Sequence, residues 1–341
     1  MKRLRMYLFI ATLLLPRFGA AAAATKQSNL VLNRAWVEKY KDRATIAGEI
    51  TIDHAGPVKT PGPSKPSNDG DIHAASRSTD IGLPMVAEIM NAKDVPNAVK
   101  QVKNTEGNHA PFTGVWRLWF EHPPSGQTQT QDLTQLGNPG TNTNPAHCFE
   151  VHPLTEFDNI NLDKTFHPVP GYDPKDAASA FGRYEKLQIS LSANAKTVTL
   201  SSQMIGFNYV QFKLRLQNAA IDLMKDDNGA VTGKQAKVDI FALDAADDDE
   251  PLATDVRAIF VAGTEPAQEV AKLGAGSEMV VWGIPRLNLN AISTFLKAGG
   301  TQATSRKLTY EMVIVAVESS ADEEGAEAPT PKSGGGRKRT R

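Results

Sequence analysis

The chain has 341 residues, with 37 Lys and Arg against 38 Asp and Glu, a formal net charge of −1 and one cysteine, Cys148. A single thiol forbids any intrachain disulfide and excludes a disulfide-stapled secreted domain. The lack of basic excess argues against a dedicated nucleic-acid binder, whose affinity comes from neutralising phosphates, and the length exceeds what one core usually serves, which points to two domains.

Lys2, Arg3 and Arg5 precede an apolar run at 6–15, Pro16 breaks it, and small residues fill 19–24. This pattern predicts a signal peptide over 1–24 and a periplasmic or secreted protein; the run is shorter than the roughly 20 residues that span a bilayer. Residues 25–34 read as an N-terminal extension. Segment 44–53, ATIAGEITID, alternates Ile46, Ile50 and Ile52 as a strand does. A Pro/Gly/Ser/Lys excursion at 56–69 leads to a second strand at 71–77. Gly82-Leu83-Pro84 then opens an expected helix through Asn91, with Met85, Val86 and Ile89 on one face, and a further helix is expected at 96–104. Two apolar strands follow, each closing on His-Pro. One is 114–123, ending Glu121-His122-Pro123, and the other is 147–153, ending Glu150-Val151-His152-Pro153. Proline cannot donate to a ladder, so each Pro is read as a strand end. The intervening 124–145 is a Gln/Thr/Asn/Gly/Pro loop, long enough to be functional or disordered.

Proline-rich 157–174 closes the first domain. The second, 176–320, carries strand signals at 187–191, 197–203, 207–216, 238–243, 256–262, 279–282 and 308–317, with helices at 266–273 and 289–296. Residues 321–341 have the composition of a disordered charged tail.

Alternation sorts the polar side chains. Asp71, His73, Ala75 and Arg77 share one strand face; Cys148, Glu150 and His152 share another, opposite His147, Phe149 and Val151. If these strands adjoin, His73, Arg77, Glu150 and His152 form a polar site at a barrel rim, suited to a small polar ligand, a saccharide or an oligonucleotide. A second reading places a divalent metal on Asp71, His73, Glu150 and His152 in a hydrolase, with Glu121 or Glu150 as general base, because imidazole and carboxylate suit zinc-like ions. A third is a structural or partner-binding envelope protein, in which the same groups pair across strands and cap loop backbone. No HExxH, phosphate-binding Gly loop or G-x-S-x-G elbow occurs. The acidic run Asp247-Asp248-Asp249-Glu250 lacks the spaced ligand order of a calcium loop and reads as solvated. Trp116, Leu118 and Phe120 read as core, while Trp119, beside Arg117 and Glu121, reads as surface.

The segments GDIHAASR (70–77), IGLPMVAEIMNA (81–92) and FEVHP (149–153) resemble a group of uncharacterised exported bacterial proteins with a GD-x-H … EIMNA … E-x-H-P pattern. Over residues 40–157 the resemblance implies an OB-like β-barrel and an exported location, and it implies no activity. An ordinary OB barrel carries its helix between strands three and four, whereas the helix expected at 84–91 follows strand two. The predicted architecture is mainly β: an OB-like small barrel with a helical insertion over 35–175, then a second β-rich domain, barrel or sandwich, over 176–320.

Overall fold

The structure, a computed structural model, describes residues 26–218, 222–246 and 249–318. The expected signal peptide, the charged tail, and Asp247 and Asp248 of the acidic run lie outside the described residues.

Strand β1 (Ser28–Asn33) runs into helix α1 (Arg34–Tyr40), which buries Trp36, Val37 and Tyr40. There follow β2 (Thr45–Ala55), β3 (Ile72–Arg77), β4 (Met85–Ile89), helix α2 (Pro96–Asn104), β5 (His109–His122), β6 (Thr128–Thr130), β7 (His147–Phe157) and β8 (Ile160–Asn161). Strand β2 pairs with β3, β3 with β4, β4 with β7 in parallel, β7 with β5, and β5 back with β2. In chain order the closed ring is first, second, third, fifth, fourth, with α2 between the third and fourth strands. This is a five-stranded Greek-key barrel of the OB type.

The remainder comprises β9 (Lys175–Asp176), α3 (Ala177–Tyr184), β10 (Gln188–Ala193), β11 (Thr197–Ser202), β12 (Val210–Leu216), β13 (Asp222–Lys225), β14 (Val231–Phe241) and β15 (Ala253–Val261). It ends with α4 (Glu265–Val270), β16 (Glu278–Leu287), α5 (Leu289–Lys297), β17 (Thr304–Lys307) and β18 (Tyr310–Val317). Strands β12, β14, β15, β18 and β16 close a second ring, with β15 and β18 parallel, β16 joining β18 to β12, and α4 between the third and fourth strands. The same order has therefore been built twice. A separate sheet, β17-β10-β11-β1-β6, draws on the N-terminal extension, the loop between β5 and β7 of the first barrel, the segment between the barrels and the second barrel. Asp176 caps α3 by accepting from Ser179 N at 2.8 Å, and Asn288 caps α5 by accepting from Ala291 N at 3.1 Å.

Three local expectations are corrected. The helix expected at 84–91 is strand β4, with every residue of Met85–Ile89 buried. Its helical periodicity is overridden because both neighbouring strands need a partner, and β4 supplies it to β3 and β7 and closes the barrel. The helical insertion is α2 alone, which places it where an OB barrel carries it. Strand β7 does not stop at Pro153 but continues to Phe157. The ladder with β5 shifts register between Thr113 and Trp116, where Gly114 packs so closely on Val151 that a Cβ would collide with it. Trp119 is buried rather than superficial, donating to Gly206 O at 2.7 Å and meeting Tyr184 of α3 edge-on.

A candidate site at the seam of the two barrels

The site is built on three neighbouring strands of the first barrel. Asp71 stands at the entry to β3 and His73 lies within it; Glu88 lies on β4, directly across the ladder from His73; His147, Glu150 and His152 lie on β7. Arg117 of β5 faces Glu150 across the next ladder. Tyr209, just ahead of β12, closes the group from the side of the second barrel.

His73 and His152 converge on one carboxylate: His73 Nε2 lies 3.5 Å and His152 Nδ1 3.3 Å from Glu88 Oε2. On its other edge His152 Nε2 lies 3.2 Å from Asp71 Oδ2 and 2.8 Å from the Tyr209 hydroxyl, which itself donates to Asp71 Oδ2 at 2.8 Å. His147 Nε2 sits 2.9 Å from Glu150 Oε1, although strict alternation placed these side chains on opposite faces. Arg117 pairs with Glu150, donates to Glu121 Oε2 at 2.6 Å, and reaches the Pro285 and Phe207 carbonyls at 3.0 and 3.1 Å. Lys59, from the excursion at 56–69, places Nζ 2.8 Å from His73 Nδ1.

The expected rim is closed. His73, Glu150 and His152 are 4, 4 and 0 % exposed, because the seam and the excursion at 56–69 cover them. Arg77 stands apart from them: its Nε donates to Asp53 Oδ1 at 2.8 Å and its Nη1 to Gly137 O at 3.0 Å. Glu121 and Glu150, the two candidate general bases, both already accept from Arg117. An ionised carboxylate shared with an arginine is a weak base. Glu88, Arg117, His147 and Tyr209 escaped the sequence reading. Glu88 was hidden by the helical assignment, Arg117 by the expected exposure of its strand face, and Tyr209 by lying 138 positions from Asp71.

Burial alone would raise the Glu150 carboxyl, but Arg117, His147 and His152 outweigh it and hold it well below the usual carboxylate range. Burial would lower His152; Glu88, Asp71 and Glu150 overcome it and raise that imidazole well above its ordinary value. His73 and His147 are raised by the same contest, through Glu88 and Asp69 for the first and Glu150 for the second. Asp71 is pushed up to about 7, chiefly by burial and then by Asp69.

Two closed barrels in this strand order place the molecule among OB-fold proteins, a class that binds ligands on the face of its second and third strands and the loops beside it. No protein-family model and no curated protein matches the chain. Among solved structures it is similar to the wild-type single-stranded DNA binding protein from Thermus aquaticus, at 10 % identity and a TM-score of 0.21, over 89 % of this chain and 97 % of that one. A deletion variant of the same protein gives 9 % identity and a TM-score of 0.22, over 89 and 98 %. At such scores the fold assignment rests on the strand order itself.

Proposed function

We propose that this chain is an exported binding module that takes a small polar ligand or a saccharide on the outer face of its first barrel around β3, the second strand of the ring. The observation that carries the reading is the loop at 123–146, which lies over that face. Gly140 N donates to Asp53 Oδ2 at 2.8 Å, Arg77 holds the Gly137 carbonyl, and a Cβ on Gly140 would stand 3.1 Å from that of Ala75. A Cβ on Gly56, at the start of the excursion that follows β2, would stand 3.5 Å from Thr143 Oγ1 of the same loop. The two loops that flank an OB binding face therefore meet over β3.

The covering loop is rich in amide and hydroxyl side chains, with Gln135, Asn138, Thr141 and Asn142 exposed. These groups both donate and accept, which suits a polyhydroxylated ligand. The four tryptophans are buried, and the exposed large apolar side chains among the described residues are aliphatic. A single-strand binder needs stacking aromatics along a basic groove, so an oligonucleotide is the weaker candidate. Of the four residues expected to hold the ligand, Arg77 reaches the covered face. His73, Glu150 and His152 lie on the same side of the sheet but are closed off at the seam by the excursion at 56–69 and Tyr209.

The test is a calorimetric and fluorescence screen of oligosaccharides, small polar metabolites and single-stranded oligonucleotides. Binding of a saccharide or small polar molecule that is weakened by Arg77→Ala, with hydrogen exchange in 123–146 slowed by the ligand, is the expected result. Tight binding of oligonucleotides alone, or binding indifferent to Arg77 and to the loop, would overturn the reading.

A further inference from the structure

We propose that Asp71, Glu88 and His152 hold a divalent metal ion of the zinc class at the seam between the barrels. The proposal is independent of the reading above, because it rests on buried atoms at the seam and not on the loop at 123–146.

Each of the three side chains has a buried atom without a hydrogen-bond partner: Asp71 Oδ1, Glu88 Oε2 and His152 Nδ1. Buried polar groups are nearly always hydrogen-bonded; here Glu88 Oε2 and His152 Nδ1 face each other without a hydrogen bond and Asp71 Oδ1 has none, which an ion between them would remedy. Their residues offer ligand atoms that all lie within 4.8 Å of one another. Two carboxylates and an imidazole form a donor set that zinc accepts, at ligand distances of about 2.0–2.2 Å. Two ligands of a tetrahedral ion at that distance stand roughly 3.3–3.5 Å apart, and His152 Nδ1 lies 3.3 Å from Glu88 Oε2.

The surroundings have the second layer such a site needs. A metal-bound histidine commonly directs its other ring nitrogen at a carboxylate or other acceptor that fixes the ring. Here His152 Nε2 faces the Tyr209 hydroxyl at 2.8 Å. Charge points the same way. The carboxylates of Asp69, Asp71, Glu88, Glu121 and Glu150 face two fixed cations, Lys59 and Arg117. A divalent ion supplies positive charge where it is otherwise left to the imidazoles. A second trio, Glu121, His122 and Glu150, also comes within range, but Arg117 already bonds both of its carboxylates and no atom of it is orphaned.

Buried on every side, the ion would join β3, β4 and β7 beneath Tyr209 and act as a structural pin taken up on folding. The experiment uses the full chain, produced with zinc in the medium, gel-filtered and subjected to elemental analysis. A portion is also unfolded with a chelator and refolded with and without zinc. About one zinc per chain, a higher melting temperature in the zinc-refolded sample, and an affinity at least tenfold lower in Glu88→Gln are expected, since even outer partners of a metal site cost 10–100-fold. Asp71→Asn is the second variant and gives the same loss should Glu88→Gln fail to fold. Folded wild-type protein that retains no zinc and melts identically with and without it would overturn the proposal. So would full zinc retention in either folded variant. Neither result touches the saccharide screen, so the two proposals fail separately.

Discussion

The two barrels share one strand order, yet their buried charges are arranged differently. In the second, Arg286 donates from Nε to Glu311 at 2.6 Å and from its terminal nitrogens to the Ala44, Trp116 and Arg43 carbonyls at 2.9, 3.1 and 3.1 Å. Its guanidinium stands 3.4 Å over the Trp116 ring, and the other Glu311 oxygen accepts from Arg257 at 3.0 Å. Every polar atom of the Arg286 and Glu311 side chains is thus matched by protein, and in this group only the neighbouring Arg257 keeps a buried nitrogen, Nη2, without a hydrogen bond. In the first barrel Asp71, Glu88 and His152 each keep a buried atom without a hydrogen bond, although Glu88 Oε2 and His152 Nδ1 face each other at 3.3 Å. A closed polar network needs nothing beyond the chain, whereas an open one marks where a foreign atom is expected.

The largest effect that would sharpen this comparison comes from the arginines. Arg286→Met leaves Glu311 without its nearest cation and takes a donor from the Ala44, Trp116 and Arg43 carbonyls, and Arg117→Met takes the nearest cation from Glu150. Each is expected to cost about 3–5 kcal/mol in chemical denaturation, the cost of stranding a buried charge. If Arg117→Met cost far less than Arg286→Met, another cation would have to serve Glu150, and the contrast between the barrels would need redrawing. Tyr209→Phe removes one hydroxyl from Asp71 and His152 and is expected to cost roughly 1–3 kcal/mol. Zinc-refolded protein should lose the less of the two, because the ion still fixes both partners.

The pH dependence of chelator-treated protein tests the closed part of the first network, His147 with Glu150. His147 is raised, so its contribution is full below the ordinary imidazole value near 6.5 and is lost as pH rises through the folded value. Glu150 is lowered, so its contribution is full above the ordinary carboxyl range and is lost as pH falls through its folded value. The contribution of this pair should therefore be full between about pH 5 and 6.5 and fall on the alkaline side by up to roughly 1.4 kcal/mol per unit for the proton His147 holds, within a steeper fall to which the raised His73 and His152 add. His147→Gln should make that alkaline limb shallower by about one proton while leaving the acid limb in place; an unchanged limb would remove His147 from the account. The smallest effect is Arg77→Ala, about 1 kcal/mol in stability, which should be read instead as faster hydrogen exchange around Gly137 and Gly140 with β12–β16 undisturbed.

Much of this was legible along the chain. The alternating Ile46, Ile50 and Ile52, the capped or Pro-started helices α2 and α5, and the β-branched runs of the second barrel are local signals, and local physics carried them into the structure. That His73 and His152 come near one another was also within reach, since period-two alternation puts each on a definable face, though the carboxylate they share, Glu88, was not. The exposure of the site was out of reach. Trp119, Arg117 and the histidines read as surface residues because their strands looked half-buried, and only the second barrel, α3 and the excursion at 56–69 cover them.

The order of amino acids by itself determined that this is a β-rich chain of two units without disulfides, with imidazoles and carboxylates collected near His-Pro pairs. Tertiary structure alone decided that Met85–Ile89 is a strand, that Glu88 therefore points at both histidines, and that Tyr209 closes the group from the second barrel. The physical reason is the range of the forces involved. Periodicity and capping act over a few residues, whereas closing a barrel and burying a charge depend on partners that the chain brings together from far along its length.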